Sequence, residues 1–261
     1  MFITSKDNEL IKHIRKLKEK KYRDEFCEFI VEGAKMIEEA INEEAIIKYI
    51  VVCDDCKTSS SLTQEQLYDF AEYECIYVNE KIFNLITDVV APQGILAVIE
   101  KPLKEDGKID YKADNFLILD NIQDPGNMGT ILRTADSLNM KQIIVSKGSA
   151  DCYNSKVVRS TMGAIFRVQV IERELDKVIK EMKKREIKIY ATDLKTNKTI
   201  YDVDYKKSAV IIGNEANGVS TEVLELSDER IKIPMLGKTE SLNAAVATGI
   251  ILYEINRKNG C

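Results

Sequence analysis

Histidine is nearly missing from this chain: His13 is the single imidazole among 261 residues. That scarcity argues against histidine-based acid–base chemistry and against the common histidine-rich metal centres. Cysteine supplies no substitute. The six cysteines are scattered, and Cys53-Asp-Asp-Cys56 is the only close pair, so a structural zinc would lack two ligands. We read the cysteines as ordinary reduced thiols and expect no metal. Long apolar runs are also lacking. Nothing approaches the roughly 20 residues of a membrane span, and the first residues, with Lys6 and Asp7 so early, lack the apolar centre of a secretory signal. The expectation is a cytosolic protein with no membrane partner. There is no internal repeat, no low-complexity tract and no excess of positive charge, the formal net charge being -5.

What is present is enough apolar material, 44% of the chain, to build one large or two ordinary domains. Positive charge is concentrated near the start, in Lys6, Lys12, Arg15, Lys16, Lys18, Lys20, Lys21 and Arg23. Such a cluster is either a solvated helix face or a track for a phosphate backbone. Leu10, Ile11, Ile14 and Leu17 recur at helical spacing after capping-type residues, which predicts one helix running to about Arg23.

A small α/β unit follows: strands over Phe26 to Val31, Ile46 to Val52, Cys75 to Val78 and Gly94 to Ile99, with helices over Gly33 to Ile41 and Thr63 to Tyr73. Lys101-Pro-Leu-Lys-Glu-Asp-Gly-Lys108 reads as a linker. It divides the chain into residues 1–105 and 106–261. In the second part, strands (Phe116 to Asp120, Gln142 to Val145, Val168 to Ile171, Ile187 to Thr192, Ala209 to Ile212, Ile231 to Ile233) alternate with helices (Met128 to Leu138, Ser155 to Ile165, Leu175 to Arg185, Glu222 to Leu226, Leu242 to Ile255). That alternation predicts a mostly parallel sheet with helices on both faces, whose ligands sit beyond the carboxyl ends of strands.

Three segments lie at such ends. Asn121-Ile-Gln-Asp-Pro-Gly-Asn-Met-Gly-Thr-Ile-Leu-Arg133 opens a helix, but Gly126 and Gly129 do not make G-x-G-x-x-G, which argues against a dinucleotide-dependent dehydrogenase. Asn127 there is read either as a helix cap or as a site residue. Arg133 sits on a helix otherwise poor in charge, where a guanidinium is best explained by a phosphate or carboxylate. Gly213-Asn-Glu-Ala-Asn-Gly218 brackets one acid, Glu215, with glycines that permit close ligand approach. Ile233-Pro-Met-Leu-Gly-Lys-Thr-Glu-Ser-Leu-Asn-Ala244 leads into a helix apolar nearly all round, which must be buried in a core or a subunit interface.

In this order the segments resemble the SpoU branch of the SPOUT methyltransferases. Asn127-x-Gly129-x-x-x-Arg133 resembles the first motif of that family, Gly213-Asn-Glu215 with Gly218 the second, and Ile233-Pro-Met with Ser241-Leu-Asn243-Ala244 the third. Ser155-Lys-Val-Val-Arg159 and Gly163-Ala-Ile-Phe166 are similar to the stretch between. The N-terminal third resembles a ribosomal-protein-like substrate-binding domain through Ile3-Thr-Ser, the basic Leu17 to Arg23 stretch and Phe29-Ile-Val-Glu-Gly33. Ala216 departs from the pattern, standing where members commonly carry glycine.

The resemblance implies a deep trefoil knot, an exception to the rule against threaded chains, and a homodimer with shared sites. It implies S-adenosylmethionine as cofactor, held by Leu194, Gly213, Ile233 and Leu242, and transfer of its methyl group to a ribose 2′-hydroxyl of RNA, ribosomal before transfer RNA. Arg133, Asn127, Glu215, Asn243 and Ser241 are the implied catalytic set, and Lys16, Lys20, Lys21, Arg23, Lys156 and Arg159 the RNA-binding set. A guanidinium offers donors and no acceptor, so Arg133 reads as a phosphate clamp that orients the ribose rather than as a simple base. A non-catalytic RNA-binding protein on the same fold is the alternative.

Overall fold

The computed structural model describes residues 1–55, 62–102 and 108–260. They form two compact units: Met1–Glu105 with Tyr153–Phe166, and Asp106–Cys152 with Arg167–Cys261. Most of the expected linker, and Cys56, lie outside the described residues. The division differs from a single cut in the chain, because Tyr153–Phe166 belongs with the first unit.

In the first unit, β1 (Phe2–Ile3), α1 (Glu9–Lys16), α2 (Lys20–Phe26), β2 (Glu28–Glu32), α3 (Ala34–Asn42), β3 (Ile47–Cys53), α4 (Gln64–Phe70), β4 (Cys75–Val78), α5 (Glu80–Ile86) and β5 (Ile95–Glu100) follow in order. The five strands form one sheet in the order β1-β4-β3-β5-β2, with β5 antiparallel to both its neighbours. Ile11, Ile14 and Leu17 pack with Ile82, Phe83 and Ile86 over Val51, Ile76 and Leu96. Helix α5 was not expected from the sequence, although Asn79 caps it by accepting from the Ile82 amide at 2.9 Å.

The single helix expected up to Arg23 is broken. Its apolar stripe ends at Leu17, and Glu19 is extended before α2 begins. Arg23 explains the break. It is only 3% exposed, and its Nη1 donates to the carbonyls of Leu17 and Lys18, both at 2.8 Å, which satisfies groups that the end of α1 leaves unpaired. Arg23 therefore serves as a structural cap. Cys53 likewise departs from the reduced-thiol expectation: it is disulfide-bonded.

The second unit contains β6 (Asn115–Leu119), α6 (Pro125–Ser137) and β7 (Gln142–Ser146) before α7 (Ser155–Thr161), which belongs to the first unit. It then continues with β8 (Gln169–Arg173), α8 (Leu175–Lys184), β9 (Lys188–Thr192), β10 (Ser208–Ile212), α9 (Thr221–Leu226), β11 (Glu229–Ile231) and α10 (Ala244–Asn259). The six strands are all parallel in the order β11-β9-β10-β6-β7-β8. Phe116, Ile118, Ala209 and Ile211 pack with Leu175, Ile179, Met182 and Val223 of α8 and α9. Leu117, Leu119, Val210 and Ile212 alternate with them and are equally buried, so they face the opposite side, where α10 packs on α6 and β10. Both faces are covered, which is why these strands read as unbroken apolar runs.

Strand β11 starts two residues earlier than the apolar pattern predicted. Its charged first residue is tolerated because Glu229 lies in an edge strand, paired with Lys188 at 3.3 Å and with Lys198. Ile233 consequently lies in the loop after the strand. Among the described residues, no helix is long and apolar enough to cross a membrane.

Candidate functional site

The chain runs outward from β6 through β7 to β8, then crosses to the other side of β6, where it forms β9, then β10 beside β6, and last β11 at the edge. The point between β6 and β10 is where strand order switches, the usual mouth of a ligand cleft in a parallel sheet. The loops leaving these two strands are locked together by side chains. Asn214 Nδ2 donates to the Asn121 carbonyl at 2.8 Å, and the buried Asp120 carboxylate accepts from the Ser220 amide at 2.8 Å. Asn121 itself takes a left-handed φ of 57° and donates its amide to Ser146 Oγ at 2.7 Å. Sequence reasoning passed over Asp120 and Asn214; an acid directly after the apolar strand Phe116 to Leu119 was the available signal.

The second loop is a tight turn closed by paired amides and carbonyls of Asn214 and Gly218 at 2.9 Å in each direction. Asn214 Oδ1 also accepts from the amides of Ala216 and Asn217, at 3.0 and 3.1 Å. Gly213 is required here. A Cβ at that position would lie 2.1 Å from the Gly218 carbonyl carbon and from the Val219 nitrogen, a contact no side chain survives. Ala216 has no positive φ, so the departure from the glycine pattern leaves the turn intact.

Beside this turn lies a cleft of about 590 Å³. Its walls include Leu194, Gly213, Ile233 and Leu242 together with Glu215 and Ser241, which brings every residue assigned to the cofactor to one cavity. Leu194, which follows β9, is 54% exposed. The lining suits an adenosyl sulfonium: apolar walls from Val219, Leu224, Ile233 and Met235, and the acids Glu215, Glu225 and Glu240 for a cation. Among the described residues, no group of three His, Cys, Asp or Glu side chains is placed to hold a metal ion.

Asp124, and not Asn127, caps α6: its carboxylate accepts from the Asn127 amide at 2.8 Å, with Pro125 in the first turn. The Asn127 side chain is thus free for other work. Its Nδ2 donates to Glu215 Oε1 at 2.8 Å, and its Oδ1 accepts from Asn243 Nδ2 at 2.8 Å. Asn243 in turn caps α10, accepting from the amides of Ala245 and Val246. Residues 88 and 116 positions apart therefore form one directed chain of hydrogen bonds, from the start of α10 through Asn243 and Asn127 to a carboxylate at the cleft. Arg133 lies farther along α6, exposed, with no side-chain partner among the described residues.

The remaining assigned cations lie in the first unit. Lys16, Lys20, Lys21 and Lys156 are exposed. Arg159 is not. Its Nη1 is enclosed without a hydrogen-bond partner, and its charge acts on Glu32 and Asp88. Burial pushes the Glu32 carboxyl up despite a hydrogen bond from Thr87. Burial also opposes the Asp88 charge, but hydrogen bonds from Ser155 and Lys18, with the charges of Lys18 and Arg159, hold that carboxyl below its ordinary range. Arg159 thus acts on these carboxylates inside the first unit.

Residues 114–253 match the SpoU rRNA Methylase family, and residues 8–97 match the MRM3-like substrate binding domain. A Bacillus subtilis (strain 168) relative, the 23S rRNA (guanosine(2553)-2'-O)-methyltransferase RlmP, is 34% identical over 254 residues, covering 97% of this chain and 98% of its own. The solved structure of an AdoMet-bound rRNA methyltransferase from Sinorhizobium meliloti superposes with a TM-score of 0.86 at 30% identity, covering 98% of this chain and 97% of the other. The AdoMet complex of the SpoU methyltransferase AviRb from Streptomyces viridochromogenes gives a TM-score of 0.84 at 26% identity, with 97% and 98% covered. With the three motif loops gathered at one switch point of a parallel sheet, and with similarity running through both units, the chain belongs to the SpoU rRNA methylase family.

Proposed function

We propose that this chain transfers a methyl group from S-adenosylmethionine to a ribose 2′-hydroxyl of RNA, ribosomal RNA being the favoured substrate and transfer RNA the second choice. The observation that carries the reading is the directed chain Asn243–Asn127–Glu215 at the edge of a cleft lined by Leu194, Gly213, Ile233 and Leu242. When bound there, the cofactor supplies an electrophilic methyl on a cationic sulfur. The chain's own residues supply position. Backbone groups of the Gly213 turn and apolar contacts from Leu194, Ile233 and Leu242 hold the ligand and exclude water, while Glu215 adds negative charge beside the cation. Arg133 grips an RNA phosphate through its planar fork and so orients the ribose, and Asn127 fixes Glu215 and Asn243 in place. Ser241, exposed on the cleft wall, completes the set.

The first unit is read as the module that selects and holds RNA, through Lys16, Lys20, Lys21 and Lys156. A homodimer belongs to the same reading: Val246 and Tyr253 on α10 are 52% and 67% exposed, an apolar face that a second copy would cover. So do a trefoil-knotted backbone and a cytoplasmic setting.

Calorimetry with the full chain is the direct test of the cofactor site. S-adenosylmethionine is expected to bind without added metal and in the presence of a chelator, to a species of twice the chain mass by light scattering. No heat at millimolar ligand would leave only an RNA-binding protein on this fold, and a mass of one chain would remove the dimer.

A further inference from the structure

We propose that the ring ladder Tyr22–Phe26–His13, where α1 meets α2, is a stacking platform for an unpaired RNA base, with Lys16 and Lys21 holding the phosphates on either side. The proposal rests on the reading that the first unit holds RNA and says which feature of the RNA it takes. Tyr22 and Phe26, one helical turn apart on α2, have ring centroids 6.0 Å apart and planes only 13° from parallel. Phe26 continues to His13 at 4.6 Å. His13 is held at the base of the ladder by Glu28, Nε2 to Oε2 2.6 Å.

The outer ring is the informative one. Tyr22 is half-buried, yet its hydroxyl has no partner among the described residues, so no internal bond explains its place. The ammonium groups of Lys16 and Lys21 lie 5.5 and 5.4 Å from its ring centroid. Three neighbouring cations are used within the fold: Lys12 pairs with Glu9 at 2.8 Å, Lys18 with Asp88 at 3.0 Å, and Arg23 caps α1. Lys16 and Lys21 make no ion pair among the described residues and remain beside Tyr22. A ring with mobile ammonium groups over it that make no ion pair can exchange them for a base, leaving the charges to the phosphates, which is how proteins hold single-stranded nucleic acid. Inside a duplex the bases stack on one another and offer no free face to such a ring.

The chain contains no tryptophan, so Tyr22→Trp creates a single fluorescent reporter at the platform. The probes are a short unstructured oligoribonucleotide and a blunt RNA duplex of equal length. Tyr22→Leu is expected to weaken binding of the single strand about 5- to 150-fold with an unchanged salt slope and to leave duplex binding alone. Tyr22→Phe and Tyr22→Trp should bind as the parent does, with Tyr22→Trp emission quenched by the single strand. Parent-like single-strand binding by a folded Tyr22→Leu variant, or equal weakening toward both RNAs, would overturn the platform. The double change Lys16→Gln, Lys21→Gln separates the two readings: it should flatten the salt dependence. A flattened slope beside an indifferent Tyr22→Leu sinks the platform alone, whereas no effect from either change removes RNA binding from this face altogether.

Discussion

Arg133→Ala is expected to lower methyl transfer to RNA by about 10²- to 10³-fold while changing S-adenosylmethionine affinity by no more than about threefold. Arg133 stands on α6, exposed, without a side-chain partner among the described residues and outside the cavity lining, so its removal takes nothing from the cofactor site and leaves no buried charge unpaired. What is lost is a planar grip on phosphate. Arg133→Lys should recover little, since an ammonium is a point charge that cannot reproduce two parallel donors. Single-turnover methylation together with cofactor calorimetry checks this. Full activity in the lysine variant would show that charge alone suffices, and a parallel fall in cofactor affinity would move Arg133 into the cofactor site.

Gly213→Ala should have the larger structural effect. Its new Cβ would press on backbone atoms of Gly218 and Val219, which cannot rotate away as a side chain does. The cost is expected near about 3 kcal/mol, the upper part of the range for overpacking. Because the displaced turn is the cleft wall, cofactor binding should fall by at least about a hundredfold, the affinity equivalent of that cost. Gly237→Ala is the matched control. Gly237 has open space around its missing side chain and no positive φ, so its replacement should stay within about 0.5 kcal/mol by chemical denaturation. Parent-like cofactor affinity in Gly213→Ala would mean that the turn does not form the ligand wall.

The core strands were legible because a sheet covered on both faces writes itself as apolar runs, as in Phe116 to Leu119 and Ala209 to Ile212. Positions where polar groups serve the fold were not. Arg23 and Arg159 look like surface cations in a one-dimensional reading, and only three-dimensional packing shows one capping α1 and the other balancing Glu32 and Asp88. Glu229 hid the start of β11 because its partner Lys188 comes from another strand. In the site, glycines and single charges marked the loops, but which side chains touch was invisible. Nothing in spacing says that Asn127 reaches both Glu215 and Asn243, or that Asp124 releases it by taking the cap. The membership of Tyr153–Phe166 in the first unit has the same origin, since local pattern carries no record of which distant surface a helix packs against.

Mapping 2′-O-methylated nucleotides in ribosomal and transfer RNA, from cells with and without this protein, tests the central claim most directly. The account predicts one or a few ribosomal positions that lose the modification without the protein and regain it with the parent chain but not with Arg133→Ala. Unchanged ribose methylation in both RNA classes, in cells where the protein is otherwise expressed, would contradict it.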